Sequence, residues 1–98
     1  MTRVRLAPAV IDDLSRIMEH LELHEAKGAE DGASQIISAF DVLIDNPLIG
    51  RPVDDEKREL LIGRGARGYV ALYCYVPLID TALILAVRAQ RESGYAHE

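Results

Sequence analysis

Apolar residues recur along this chain at two spacings, and the change from one to the other divides it. Arg3-Val4-Arg5-Leu6 alternates polar and apolar side chains, the period-two pattern of a half-buried strand. From Ala9 the apolar positions Val10, Leu14, Ile17, Met18 and Leu21 fall on one side of a helix, with Asp12, Asp13, Arg16, Glu19 and Glu22 on the other. Pro8 suits the first turn, where a backbone N–H has no intrahelical acceptor, and Lys27-Gly28 supplies a stop. A second helical stripe, Ala33, Ile36, Ile37, Phe40, Leu43 and Ile44, ends at Asn46-Pro47, because proline disfavours helical backbone at the residue before it. Two amphipathic helices joined by a short connection predict an antiparallel hairpin.

Residues 46–57 hold two prolines, a glycine and a charge run, which predicts a crossing loop. Period two then returns in three segments, 58–62, 69–76 and 81–91, with short connections at 63–68 and 77–80. Such connections predict an antiparallel meander. The predicted fold is α+β, β-αα-βββ: an antiparallel sheet with an αα-hairpin packed on one face, in a single domain spanning residues 1–98.

Strand parity assigns faces. The aliphatic set Val70, Leu72, Cys74 and Val76 is expected to meet the helices, together with Val4, Leu6, Leu83, Leu85 and Val87. That leaves Tyr69, Ala71, Tyr73 and Tyr75 on the other face beside Arg3, Arg5 and Arg88. Tyrosine rings supply contact area and stacking, and guanidiniums supply phosphate or carboxylate contacts, so this face is a candidate binding surface.

Composition narrows the class. About half of the 98 residues are apolar (49%) and 28% are charged, a balance for a folded globule rather than a disordered chain. No apolar run approaches the roughly 18–20 residues needed to span a bilayer. The N-terminus lacks the apolar stretch of a signal peptide, so the expected location is the cytoplasm. Cys74 has no partner for a disulfide. His20 and His24 lie four apart on a helix, but no third ligand is evident, and no metal or cofactor is expected. The segment 63–68 has glycines and arginines without the spacing of a phosphate-binding loop, and it reads as a hairpin turn. The net charge of −5 arises in the first half: residues 1–50 carry four basic and nine acidic side chains, residues 51–98 seven of each. That balance opposes wrapping of nucleic acid by the whole surface but permits a local basic patch.

The words themselves, in order, resemble a known group. Asp13-Leu14…Ile17, Asn46-Pro47-Leu48-Ile49-Gly50-Arg51-Pro52, Arg58-Glu59-Leu60, Gly68-Tyr69-Val70-Ala71-Leu72-Tyr73 and Val87-Arg88-Ala89-Gln90-Arg91-Glu92-Ser93-Gly94-Tyr95 look like the RelE/ParE superfamily of type II toxin–antitoxin toxins. The resemblance covers nearly the whole chain and implies a plasmid-stabilisation toxin held in a hetero-oligomer by a cognate antitoxin. Two activities divide the superfamily: RelE-like members cut mRNA on the ribosome, whereas ParE-like members inhibit DNA gyrase. The nuclease set would fall on Arg58, Arg88, Arg91 and Tyr95. It is incomplete, because Val70 stands where that set has an arginine after Gly-Tyr, the lysine pair is reduced to Lys57, and Glu59 opposes phosphate binding. These departures favour the ParE-like branch, with target or antitoxin contacts expected at Arg3, Arg5, Tyr69, Tyr73, Tyr75 and Arg88. A degenerate, non-toxic antitoxin-binding partner is the remaining alternative, kept open by the acidic total.

Overall fold

A computed structural model of the chain describes residues 1–24, 29–63, 68–92, 94 and 95, leaving out the side chains of 21–24 and 29–32. Strand β1 (Arg3–Leu6) leads into helix α1 (Pro8–His24), then α2 (Ala29–Ala39) and a single turn, α3 (Val42–Asp45). Strands β2 (Arg51–Pro52), β3 (Lys57–Ile62), β4 (Tyr69–Val76) and β5 (Thr81–Ala89) follow, with a 3-10 turn at Pro77–Ile79. The predicted β-αα-βββ order stands, with α3 and the two-residue β2 added where a continued helix and a loop were expected. The Lys27-Gly28 stop lies outside the described residues.

The sheet has five strands in the order β1-β5-β4-β3-β2. β3, β4 and β5 form the expected antiparallel meander, but β1 runs parallel to β5, with Val4 opposite Ala82 and Leu6 opposite Ile84. The sheet is therefore mixed rather than wholly antiparallel. The helices lead from β1 into β2, which runs opposite to β1, and the three reversals from β2 through β3 and β4 to β5 bring β5 alongside β1 in the parallel sense. β5 also ends at Ala89, two residues before the expected boundary.

The parity of the meander is opposite to the expectation. The buried core joins Val10, Ile17, Ile36, Phe40 and Leu43 of the helices to Leu60, Ile62, Tyr69, Ala71 and Tyr73 of the sheet. Tyr69 and Tyr73 thus lie under the helices, and Val70 and Leu72 point to the far side. Tyr73 is fully buried because its hydroxyl finds partners at the sheet edge: it donates to the Pro47 carbonyl at 2.9 Å and accepts from the Gly50 N–H at 2.9 Å. Tyr75, the next of that parity, is half-buried and donates to Asp80 Oδ1 at 2.8 Å, beside the Thr2 hydroxyl on the same oxygen at 2.7 Å.

On β5 the parity changes midway. Leu72 pairs with Ala86 and Tyr73 with Ile84, so Leu85 is the extra residue of a β-bulge. Ala82 and Ile84 face the core before the bulge and Val87 after it, whereas Leu83 and Leu85 are only half-buried. Of the two β1 residues expected inside, Val4 packs against the core and Leu6 is exposed.

Asp13, expected on the solvent side of α1, is fully buried. β1 stops at Leu6, so the edge of β5 beyond Ile84 has no strand beside it among the described residues, and α1 fills the gap. Asp13 Oδ2 accepts the Val87 N–H at 2.9 Å, and Arg16 Nη2 reaches the Val87 carbonyl at 3.5 Å. Together they occupy the role of the next residue of a strand.

Candidate functional site

The sheet face away from the helices carries the polar cluster. Antiparallel register places Arg51 of β2 opposite Glu59 of β3, Glu59 opposite Leu72 of β4, and Leu72 opposite Ala86 of β5, all on that face. Arg88 stands one pleat along, opposite Val70. No described helix packs there, yet Val70 and Leu72 are each 2% exposed. Tyr95 reaches β3 on this face.

Tyr95 donates its phenol proton to Glu59 Oε2 at 2.6 Å, and its ring centroid lies 5.0 Å from the Arg88 guanidinium carbon. Arg51 closes the other carboxylate oxygen, donating from Nη2 at 2.8 Å and from Nε at 3.2 Å. Arg88 Nη2 stands 3.9 Å from Glu59 Oε2, while its Nη1 donates to the carbonyls of Ala89, Gln90 and Glu92 at 3.0–3.2 Å. Arg88 therefore fixes the turn that aims Tyr95. Glu92 in turn accepts from Arg16 of α1 at 2.8 Å, tying the same turn to the helical layer.

Charge follows from this packing. Burial pushes the Glu59 carboxyl up, but the hydrogen bonds from Tyr95 and Arg51 and the charges of Arg51 and Arg88 outweigh it, holding it below the usual carboxylate range. Burial, and then the bond to Glu59 and its charge, hold the Tyr95 phenol far above its ordinary value, with Arg88 offsetting only part. A phenol that keeps its proton is a poor general base, and a carboxylate at the centre repels a phosphate.

The candidate residues separate accordingly. Arg88 and Tyr95 meet. Arg58 is on the opposite parity and spends its guanidinium on the carbonyls of Leu48 and Gly50 at 3.1 and 2.8 Å. Arg91 is exposed and lies against the His20 ring at 2.9 Å, toward α1. Arg3 and Arg5 are exposed on the far β1 edge, and Tyr69 and Tyr73 are withdrawn into the core. Val70, at the position of the expected catalytic arginine, is buried. Sequence reasoning weighed Glu59 only as an obstacle to phosphate and passed over Arg51. The signal for both was parity on adjacent strands, legible only with β2 assigned. Cys74 is half-buried on this face, its thiol pushed up by burial, and reads as inert. Among the described residues no group of three potential ligands is placed to hold a metal, and no helix is long and apolar enough to cross a membrane. The segment 64–67, the His24 side chain and His97 lie outside the described residues.

Comparison with known proteins agrees with this architecture. No curated protein matches the chain by sequence. A solved chain from the chromosomal ParDE TA system of P. aeruginosa is similar, with a TM-score of 0.76 over 91% of this chain and 96% of that one. At 18% identity that likeness speaks for the fold alone. The profile of the ParE toxin of type II toxin–antitoxin system, parDE, matches residues 4–94, nearly the whole chain. The chain therefore belongs to the ParE toxin family of type II toxin–antitoxin systems.

Proposed function

We propose that this chain is a cytoplasmic toxin that inhibits DNA gyrase by binding it, and that a cognate antitoxin neutralises it in a hetero-oligomeric complex of the plasmid-stabilisation type. The observation that carries the choice of binding over cutting is the state of the polar cluster. Cleavage of RNA needs a base for the 2′-hydroxyl, an acid for the leaving oxygen and free cations for the developing charge. Here the phenol of Tyr95 holds its proton against Glu59, Arg51 is bound to the same carboxylate, and Arg88 is spent on backbone carbonyls. Membership of the ParE family supports the same side of the division.

Induction of the chain without its partner is expected to slow growth and disturb DNA topology while translated messages stay intact. Primer extension on those messages tests this. Codon-dependent cuts within minutes of induction, abolished by Tyr95→Phe, would establish the ribosome-dependent endoribonuclease instead. Normal growth with unaltered plasmid supercoiling would mark a non-toxic, antitoxin-binding relative.

A further inference from the structure

The polar cluster on the far face of the sheet holds more donors than its acceptor can use. Glu59 is that acceptor, and Arg51, Arg88 and Tyr95 converge on it. Arg51 sets Nη2 and Nε on a single oxygen, Oε1, at 2.8 and 3.2 Å, although a guanidinium fork is matched to two oxygens. Tyr95 takes Oε2 at 2.6 Å. Arg88 is left over on the side that faces the carboxylate. Its Nη1 carries all three bonds to the carbonyls of Ala89, Gln90 and Glu92. Its Nη2 stops 3.9 Å short of Oε2, and its Nε is buried without a hydrogen-bond partner among the described residues. A buried donor left without an acceptor is costly.

The mismatch is one of shape and of charge. A carboxylate is planar and has two oxygens, both already bonded. A tetrahedral phosphate in the same place has four, enough for the Arg51 fork, the Tyr95 phenol and the idle nitrogens of Arg88. Two guanidiniums face one carboxylate here, because Glu92, the other carboxylate of this turn, is bonded to Arg16 at 2.8 Å. Glu59 is therefore both the occupant of the site and what repels any other anion from it.

We infer that Arg51, Arg88 and Tyr95 form an oxyanion site that Glu59 keeps shut as a built-in carboxylate, and that the ligand the site takes once Glu59 is removed is a phosphate group. Glu59 is thus the residue that decides between a closed cluster and an anion-binding one, whichever target the chain acts on.

Thermal melting in inorganic phosphate, against chloride of equal ionic strength, tests this on the unaltered chain, Glu59→Ala and Glu59→Ala/Arg51→Ala. Glu59→Ala is expected to melt about 5 °C or more higher in roughly 20 mM phosphate than in chloride, since a ligand of the folded state raises its stability. The unaltered chain and the double variant are expected to move by less than about 1 °C. The Tyr95 ring resonances of Glu59→Ala should shift and saturate over the same phosphate range, which locates the ion. No gain in Glu59→Ala would overturn the inference, as would a gain fully kept in the double variant. An equal gain in the unaltered chain would place phosphate elsewhere, such as the exposed Arg3 and Arg5, and would also overturn it. If Glu59→Ala does not fold in chloride, refolding on addition of phosphate is the expected result. If it folds in neither, Glu59→Gln decides, because it keeps the bulk of the side chain without its charge: a melt raised by phosphate together with a Tyr95 shift supports the site, and an unchanged melt contradicts it.

Discussion

Tyr95, Glu59 and Arg88 form a latch whose strength depends on pH in a direction the packing sets. Glu59 ionises more readily in the folded protein than in the unfolded chain, where a glutamate titrates near about 4.3. Its contribution is complete above that value and is lost as pH falls through the lower folded one. Tyr95 has the opposite sign: its raised phenol contributes below the ordinary value of about 10 and is lost as pH rises through the folded one. The Tyr95 ring resonances should therefore hold constant from about pH 5 to 9 and move toward free-tyrosine values in acid; a ring already solvent-like at neutral pH would refute the latch. Arg88→Ala is no surface change, because the guanidinium is mostly buried and organises the turn. It should free Tyr95 and lower the melting temperature, and an unchanged melt would contradict this. Gly50 is a tight position nearby. A Cβ there would lie 2.6 Å from Tyr73 Cε1 and 2.8 Å from the Glu59 carbonyl oxygen, so Gly50→Ala should cost at least about 1–3 kcal/mol in urea unfolding.

At the scale of elements, the helices, the three long strands and their order are legible in the sequence because hydrophobic period reports them directly. Which way a strand faces is not. Tyr69-Val70-Ala71-Leu72-Tyr73 is apolar at both parities because β4 is buried on both faces, with Tyr69, Ala71 and Tyr73 in the core beside the helices and Val70 and Leu72 buried on the far face. Alternation then carries no sign, and the tyrosines, polar by one atom, read as outward-facing. The bulge at Leu85 reverses the parity of β5 with no glycine or proline to announce it. Asp13 had a signal: it sits three residues after Val10 and four before Ile17, inside the buried stripe of α1. Asp13→Ala should leave the buried Val87 N–H without its acceptor and cost about 1–3 kcal/mol, whereas Asp13→Asn, which keeps a carbonyl oxygen, should cost less. Equal losses in thermal melts would show that the charge, and not the acceptor, matters.

For the whole molecule, the acidic total and the basic edge are separate facts. The excess of carboxylates lies in residues 1–50, where Asp12, Glu19, Asp41 and Asp45 are all exposed, while Arg3 and Arg5 stand at the free edge of the sheet. The resemblance seen in the sequence and the family match agree on a ParE toxin, and Arg58 and Val70 lie on opposite faces of the sheet, with Val70 buried. The proposed action is inhibition of gyrase by binding. The most direct measurement is the supercoiling of relaxed plasmid by purified DNA gyrase with increasing amounts of the purified chain. Supercoiling is expected to fall in proportion to added chain and to return on adding the neighbouring open reading frame's product. Full supercoiling at a large molar excess of folded chain would contradict it.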